Sequence, residues 1–285
     1  MNKVSLIVPI YNAEPYLREM LDSVLAQTWQ NIQLIAVNDG STDHSEVIFR
    51  DYEPRLKEKL SEVIYLRHEQ NLSASAAVNT ALPFCDGEYL CLVDADDVLM
   101  PDSIRKRAEY LDRFPSLALV RNNGVRFHQE SRECSECSEL AKPEDKQIRS
   151  VFGDLLFSRT YCHDGCYMLR SEAFFSCYPD RKIPVSRQGQ NMQILLPPAS
   201  LSDCGYIDDI PFLYRIHTTN HSLSFRRFPE MMERKREFEQ LQLAVLPHCH
   251  CDQELWKEKI HDYWSREIEK LKQSWISIIR VVKGN

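Results

Sequence analysis

The carboxylates in the segment YLCLVDADDVLMP, residues 89–101, have the spacing that most directly indicates chemistry. Asp94, Asp96 and Asp97 are three acids within four positions, directly after an apolar run. In an extended backbone Asp94 and Asp96 point to the same side, and two carboxylates about 5 Å apart repel by about 3 kcal/mol at an effective dielectric constant near 20. A shared proton or a divalent cation, which prefers hard oxygen ligands, would relieve this repulsion. The alternative is an exposed acidic turn, with Asp97 or Asp102 capping the next helix.

Alternating strand and helix patterns must position these acids. Continuous apolar runs predict buried strands at 4–10, 32–37, 63–66 and 89–93, with amphipathic helices between them. This order predicts βαβ units, an α/β fold class and a mostly parallel sheet, in which ligands bind beyond the carboxyl ends of the strands. The residues expected on that rim include Pro9, Tyr11, Asn12, Asp39, Asn71, Asp94, Ala95 and Asp96.

The composition limits the class of protein. The chain has 285 residues, 43% hydrophobic and 27% charged, and these values are typical of a soluble globular protein. Its formal net charge of −7 argues against general nucleic-acid binding, which needs a basic face. No apolar run approaches the roughly 18 residues of a spanning helix, and the N-terminus indicates a first strand rather than a signal peptide. We therefore expect a cytoplasmic protein with mostly reduced cysteines.

Two groups of cysteines could supply zinc ligands. One is the pair Cys134 and Cys137, and the other is the run His248 to Cys251. The sequence has one CxxC pair instead of two, and the two groups lie far apart along the chain. Loop thiols without a metal are therefore the favoured interpretation.

The second half of the chain is less regular. Residues 189–199 predict a helix that is stopped by Pro197 and Pro198, and residues 204–217 predict strand. After Pro229, apolar residues every three or four positions predict a long C-terminal helix. That helix either packs on its own domain or on a second copy, or it lies on a membrane surface, since lysines and arginines cluster near its end. The predicted divisions are 1–120, 121–225 and 226–285.

Several motifs together resemble the nucleotide-sugar-binding half of the family 2 inverting glycosyltransferases, which have the GT-A fold. They are VSLIVPIYNAEPYLREMLDSVLAQT, AVNDGSTD, GEYLCLVDADD and Pro101, in the family's order and spacing. The pattern GQNMQILLP followed by CGYI is similar to members that build bacterial capsular or other surface polysaccharides. The absence of GxGxxG and GxxxxGK after a strand removes support for dinucleotide and P-loop sites.

The resemblance implies roles for residues of the predicted rim. Pro9, Tyr11 and Asn12 would hold the nucleoside, and Asp39 would bind the base. Asp94 would lie by the ribose, and Asp96 would bind Mn²⁺ or Mg²⁺ that bridges the diphosphate. His217 and His221 would lie near the metal or the diphosphate. Structural alternatives stay open: Tyr11 could pack over the sheet edge, Asp39 could form a tight turn, and the histidines could be loop residues without a ligand.

The sequence departs from the family where the general base is expected. An inverting transfer needs a base that takes the proton of the acceptor hydroxyl. Many relatives carry Glu-Asp where Gln190 and Asn191 stand, and the polysaccharide-like members often carry Glu where Gln188 stands. Amides cannot act as bases. The candidate replacements are His163 and Asp164, of which Asp164 is favoured, and Asp180.

A second departure lies in the segment NLSASAAVN. Many relatives have glycine at the position of Ser73, and arginine at the position of Val78. Loss of that arginine would remove one diphosphate contact.

The leading hypothesis is a metal-dependent enzyme that transfers a sugar from a UDP-sugar to a hydroxyl of a glycan, with inversion, in surface polysaccharide biosynthesis. The acceptor is expected on a lipid carrier at the inner face of the membrane, and a homodimer is left open. The alternative is a non-catalytic sugar-nucleotide-binding partner of another glycosyltransferase. A nucleotidyltransferase is less well supported, because no Gly-rich loop bearing Arg or Lys follows the first strand.

Overall fold

The computed structural model describes residues 1–128, 138–209, 211–217 and 227–283. The strands are β1 (Val4–Ile10), β2 (Ile32–Asn38), β3 (Glu62–Arg67), β4 (Tyr89–Leu92), β5 (Val98–Leu99), β6 (Leu119–Asn122), β7 (Val125–His128), β8 (Ser138–Glu139), β9 (Tyr167–Arg170), β10 (Cys204–Ile207) and β11 (Phe212–Ile216). The helices are α1 (Leu17–Leu25), α2 (Ser45–Lys59), α3 (Ala74–Ala81), α4 (Ser103–Arg113), α5 (Phe152–Leu156), α6 (Ser171–Cys177), α7 (Asn191–Ala199), α8 (Phe228–Val245) and α9 (Gln253–Lys283).

The central sheet has seven strands in the order β10-β6-β9-β4-β1-β2-β3. β1 pairs in parallel with both β2 and β4, and β2 pairs in parallel with β3. Within this sheet only β9 runs antiparallel to its neighbours. The strands β1, β2 and β4 are almost completely buried, as their continuous apolar sequences predict. The predicted α/β fold with a mostly parallel sheet is confirmed.

A second, four-stranded sheet has the order β5-β11-β7-β8. Its strand β5 begins directly after Asp97 and pairs antiparallel with β11. The segment 204–217 therefore forms two strands in different sheets, β10 and β11, instead of one continuous strand. The chain divides there because β10 joins β6 in the central sheet, whereas β11 joins β5 and β7.

Helix α7 does not stop before its two prolines, contrary to the prediction. Pro197 and Pro198 lie inside its last turns. Proline at 197 removes the N–H that would have bonded to the carbonyl of Gln193. The hydroxyl of Tyr178 donates to that carbonyl at 2.8 Å instead, so the Gln193 carbonyl still has a hydrogen-bond partner inside the core. Tertiary packing therefore tolerates what the local sequence disfavours.

The C-terminal helices pack on the rest of the chain and on each other. Ile260 and Trp264 of α9 are buried, and the Trp264 indole donates to Gln242 of α8 at 2.8 Å. Trp256 contacts the rings of Phe152 and Phe157. The packing interpretation is therefore borne out for this part of α9. In the described residues, none of the helices combines the length and apolarity required to cross a bilayer.

Candidate active site

The carboxyl ends of the parallel strands meet at one edge of the central sheet, which we call the strand-end rim (residues 9–12, 38–43, 68–73 and 94–97). Parallel pairing places Ile10 opposite Asn38 and Asn38 opposite Arg67. The Val93 amide, after β4, donates to the Ile7 carbonyl of β1 at 3.1 Å. The sequence-predicted donor-site residues therefore do lie on one edge, as the topology of such sheets requires.

The first rim segment is held by its neighbour. The Asn12 side chain accepts the Thr42 amide at 2.9 Å, and the Asn12 amide donates to the Ser41 hydroxyl at 3.1 Å. Asn12 adopts φ 47°, and α1 starts only at Leu17, so the Asn12 side chain is not engaged as the cap of this helix. Tyr11 is 49% exposed, and a ring so open to solvent is available to a ligand.

The acidic cluster consists of Asp94, Asp96 and Asp97. One carboxylate oxygen of each lies within 4.8 Å of the others, and in the described ranges no other set of three or more acidic, histidine or cysteine side chains is this close. Burial, followed by the charge of Asp96, raises the pKa of Asp94 to about 7. The same two causes, with Asp94 added, hold the pKa of Asp97 well above its usual range. The protein alone therefore leaves this negative charge incompletely compensated.

Arg215 of β11 fixes the backbone of the acidic turn. Its amide donates to the Asp97 carboxylate at 2.9 Å and its Nε donates to the Asp96 carbonyl at 2.6 Å. The far end of the guanidinium pairs with Glu19 at 2.6 Å, and only 2% of the Arg215 side chain is exposed. The guanidinium thus holds the acidic turn in place and pairs with Glu19 at its far end.

His217 lies at the cluster, where the sequence places it. Its Nε2 is 2.9 Å from the Asp96 carboxylate, and its ring stacks on Tyr16 with centroids 4.4 Å apart. The second predicted histidine, His221, lies outside the described residues. Carboxylate oxygens suit Mg²⁺ and Mn²⁺, and an imidazole suits Mn²⁺ as well. The donor set therefore fits a divalent cation: three close carboxylates, two of them with raised pKa values, and a histidine beside Asp96.

Asp39 follows β2 and is 2% exposed. Its two carboxylate oxygens accept the amides of Leu72 and Ser73, each at 2.9 Å, and one of them is also 2.6 Å from Nδ1 of His68. The carboxylate therefore fastens the loop after β3 to the end of β2. Ser73 has φ 107°, a backbone conformation that favours glycine, which is the residue many relatives are expected to have at this place.

Gly40 allows this loop to come close. It has φ +69°, and a Cβ placed on it would lie only 2.4 Å from the carbonyl carbon of Gln70. The neighbouring Asn71 is exposed on the rim. Pro9 is partly buried, whereas Ala95 is buried beneath the acidic cluster.

The two base candidates from the sequence lie on the other side of the acidic cluster. Asp164 opens a short 3₁₀ helix, is 4% exposed, and has no hydrogen-bond partner for either carboxylate oxygen. It lines a cavity of about 10 Å³, at the lower limit of space for one water molecule. Burial and then the charge of Asp94 raise the pKa of Asp164 well above its usual range.

His163 stacks against Tyr214 with centroids 4.2 Å apart. Burial and then the charge of Arg126 lower the pKa of His163 to about 4, so its ring is neutral at physiological pH. Asp180, the further candidate, is exposed next to Arg181, whose guanidinium donates to the carbonyls of Leu82 and Cys85 before β4. Asp180 therefore lies toward the opposite edge of the sheet from the rim.

Loop 183–190 and the first residue of α7 carry three side-chain amides, of which that of Gln190 reaches the acidic cluster. The Gln190 amide donates to the Asp94 carboxylate at 3.0 Å. Asn191 donates to the carbonyl of Cys162, and Gln188 donates to the carboxylate of Glu237 on α8. The loop is fixed on α3 through Ser75, whose hydroxyl donates to the Ser186 carbonyl at 2.7 Å.

The residues from His248 to Cys251 do not form a cluster of metal ligands within the described part of the chain. These residues line a groove beside Cys177, but no group of three close ligands forms there. The other cysteine pair, Cys134 and Cys137, lies outside the described residues.

Comparison with known proteins gives the family. The family model described as Glycosyl transferase family 2 matches residues 5–174, which is more than half of the chain and includes the whole strand-end rim. The chain belongs to this family. The predicted resemblance is thereby confirmed.

Curated relatives share the first part of this family 2 chain. Glycosyltransferase GlyA of Streptococcus pneumoniae is 41% identical over 113 residues, which are 38% of this chain and 16% of GlyA. The minor teichoic acid biosynthesis protein GgaB of Bacillus subtilis is 36% identical over 110 residues, 38% of this chain and 12% of GgaB. The chain thus matches less than a fifth of the length of either relative.

Solved structures confirm the GT-A fold over most of the family 2 chain. TarS of S. aureus, residues 1–349 with UDP-GlcNAc, has a TM-score of 0.66 at 18% identity and covers 90% of this chain and 70% of that chain. The mannosyltransferase PcManGT of Pyrobaculum calidifontis, with GDP-Man and Mn²⁺, has a TM-score of 0.60 at 16% identity and covers 91% of this chain and 68% of that chain.

The sequence interpretation missed several residues of the site. It assigned Asp97 to the alternative helix-cap role, and it did not name Arg215, Glu19 or Glu237. Asp97 carried a signal, since it is the third acid of the same motif. The other three gave none, because each reaches the site through a contact between segments that are distant in sequence.

Proposed function

We propose that this family 2 chain transfers a sugar from a nucleotide-sugar, in the first instance a UDP-sugar, to a hydroxyl of a glycan acceptor with inversion at the anomeric carbon. The observation that carries the proposal is the acidic cluster of Asp94, Asp96 and Asp97 at the carboxyl ends of β1, β2 and β4. Such a cluster at this edge fits a diphosphate that is held together with a divalent cation.

The rim residues would divide the donor between them. Tyr11 offers an exposed ring beside the end of β1, and Asp39 and its loop form the wall after β2 and β3. Pro9, Asn12, Asn71 and Ala95 complete the nucleotide-sugar side, as the resemblance implies. Asp94 would lie toward the ribose, and Asp96, with His217 beside it, would hold Mn²⁺ or Mg²⁺. A bound ion of this kind supplies stabilisation for the negative charge that grows on the leaving diphosphate.

The comparisons support the finer parts of the proposal without deciding them. TarS was solved with UDP-GlcNAc, and PcManGT was solved with GDP-Man and Mn²⁺. GgaB is named for teichoic acid biosynthesis. A uridine donor, manganese and a surface polysaccharide or teichoic acid acceptor are therefore our first choices. We further propose a lipid-linked acceptor at the inner face of the membrane, with α9 as the contacting element.

The test measures release of UDP from UDP-sugars with a mixed lipid-linked glycan acceptor pool. We expect turnover with Mn²⁺ or Mg²⁺ and its loss on chelation. Asp96→Ala should lower turnover by about 100-fold or more, because a group that stabilises transition-state charge is worth that much. Asp51→Asn, which removes an exposed acid on α2, serves as the matched control and should keep wild-type turnover. Undiminished activity in Asp96→Ala would overturn the metal role.

A second function is favoured by one observation. Gln190 and Asn191, which stand where relatives carry Glu-Asp, both donate hydrogen bonds as amides. A protein that only binds the sugar nucleotide and assists another glycosyltransferase would tolerate this loss of a base. It predicts calorimetric binding of UDP, with no turnover against any acceptor in the pool.

A further inference from the structure

The transfer proposed above requires a group that takes a proton on the acceptor side of the donor, and this inference rests on that proposed function. Such a base must be ionised near neutral pH and must be reachable from solvent. Asp164 does not meet the second condition as placed, because it is buried, and burial followed by the charge of Asp94 raises its pKa. The carboxylates of Asp94, Asp96 and Asp97 belong to the acidic cluster.

A different carboxylate, that of Glu237, is bonded to loop 183–190. Gln188 and Gln190 flank Gly189, which has φ +92°, and their side chains bond to two different acids. Gln190 donates to Asp94 of the acidic cluster, while Gln188 donates to Glu237 of α8. Loop 183–190 therefore connects the cluster to Glu237 through side chains only two positions apart.

Glu237 is partly exposed, in contrast to Asp164. Its helix is anchored to the body of the protein. The Gln242 side chain, five residues further along α8, donates to the Leu156 carbonyl at 2.6 Å and accepts the Trp264 indole. Gln242 is itself completely buried, so the position of α8 over α5 and α7 is well defined. The carboxylate of Glu237 is thus presented by a fixed helix.

The pairing also accounts for the amide at position 188. In the polysaccharide-like members that the sequence resembles, a glutamate often stands there. Here an amide stands in the loop and a carboxylate stands on α8, and the two meet in one hydrogen bond. A glutamate at both positions would bring two negative charges into contact, which is unfavourable. The pair thus consists of one amide and one carboxylate, with the carboxylate on the helix and the amide on the loop.

We propose that Glu237 is the general base of the transfer and that Gln188 positions it. The Glu237 carboxylate accepts the proton of the acceptor hydroxyl as that oxygen forms its bond to the anomeric carbon. The bond between the anomeric carbon and the diphosphate oxygen breaks, and its electron pair leaves with the nucleoside diphosphate. The products are the extended glycan, the nucleoside diphosphate and a protonated Glu237, which then returns its proton to solvent.

Glu237→Gln tests the role directly, because glutamine keeps the size of the side chain and can still accept the Gln188 hydrogen bond. We expect kcat for sugar transfer to fall by about 100-fold or more, the range typical of a lost general base. The KM for the donor, the Kd for UDP and Tm should stay within about twofold or a few degrees of wild type. The matched control is Glu233→Gln, an exposed acid one turn earlier on α8, which should transfer at the wild-type rate.

The reciprocal double variant Gln188→Glu with Glu237→Gln adds a second readout. It exchanges carboxylate and amide across the same hydrogen bond, so it should recover at least tenfold of the activity that Glu237→Gln loses. A merely structural role would leave kcat of Glu237→Gln near wild type or would change Tm and KM together, and either result overturns the proposal.

The experiment separates this proposal from the proposed function. Full transfer by Glu237→Gln would overturn the base role alone, because the enzyme would still be active. Absence of transfer by the unaltered protein with every donor and acceptor tried would overturn the proposed function and the base role together. Failure of the double variant to recover activity, with Tm unchanged, would contradict the proposal that the base acts from this hydrogen-bonded pair.

Discussion

The strand-end rim and the side of the site formed by loop 183–190 differ in where their carboxylates come from. On the rim, three carboxylates follow the single strand β4, and one oxygen of each lies within 4.8 Å of the others. Across from them, amides stand where acids are expected, one acid is buried without a partner, and another comes from α8. The acidic part of the rim is built by local sequence, since its three acids lie within four consecutive positions shortly after β4. The opposite side is built by tertiary contacts.

Arg215 holds the acidic turn, and its removal should have the largest effect on stability. Arg215→Leu keeps the backbone amide that donates to Asp97, but it removes the positive charge beside that buried carboxylate and the Nε donor of the Asp96 carbonyl. Removal of the charge partner of a buried carboxylate costs about 3–5 kcal/mol, whereas the pair with the half-exposed Glu19 adds little. We expect Tm to fall by roughly 10 °C in calorimetry. Arg18→Leu, which breaks only an exposed pair with Asp51, should cost about 1 kcal/mol or less. Equal effects of the two variants would mean that Arg215 does not hold the acidic turn.

Asp39→Asn should have an intermediate effect and tests how the rim works. An asparagine can accept one of the two amides that Asp39 now accepts, so either Leu72 or Ser73 loses its partner. An unsatisfied buried amide costs about 1–3 kcal/mol, measured by denaturant unfolding. Weaker UDP binding should accompany this loss, because the loop after β3 is released. Loss of UDP binding at unchanged stability would instead assign Asp39 to direct contact with the base.

Replacement of His163 should have the smallest effect on the free energy of unfolding, and it tests the side of the site opposite the rim. Its pKa is lowered to about 4 by burial and by Arg126, so below its unfolded pKa near 6.5 the unfolded chain binds a proton that the folded chain does not. Its contribution to stability is therefore lost as pH falls from 6.5 toward 4.

The comparison that isolates this contribution is wild type against His163→Gln. The difference in unfolding free energy should shift by about 1–2 kcal/mol in favour of the variant between pH 7 and pH 5. The raised carboxyl pKa values act on both proteins and cancel. A difference that does not change with pH would show that His163 is solvated in the folded state.

The sequence predicted the rim well and the opposite side poorly, and the reason is physical. Continuous apolar runs identify buried parallel strands, and polar residues after such strands must share an edge. By contrast, Glu19 meets Arg215 across 196 positions and Gln188 meets Glu237 across 49, and no local period records either contact. The predicted end of α7 was too early. The helix continues through its prolines because the Tyr178 hydroxyl replaces the missing N–H of Pro197, and this contact is not visible in the local sequence.

The central claim is that the acidic cluster binds a divalent cation together with the diphosphate of the donor. Crystals grown with UDP and Mn²⁺ test it most directly, through the anomalous signal of the ion. We predict a manganese peak about 2.0–2.6 Å from a carboxylate oxygen of Asp96, the range of hard-cation ligands, in contact with the diphosphate of UDP. A structure in which UDP is bound while the ion lies elsewhere, with Asp94 and Asp96 turned to solvent, would contradict the account.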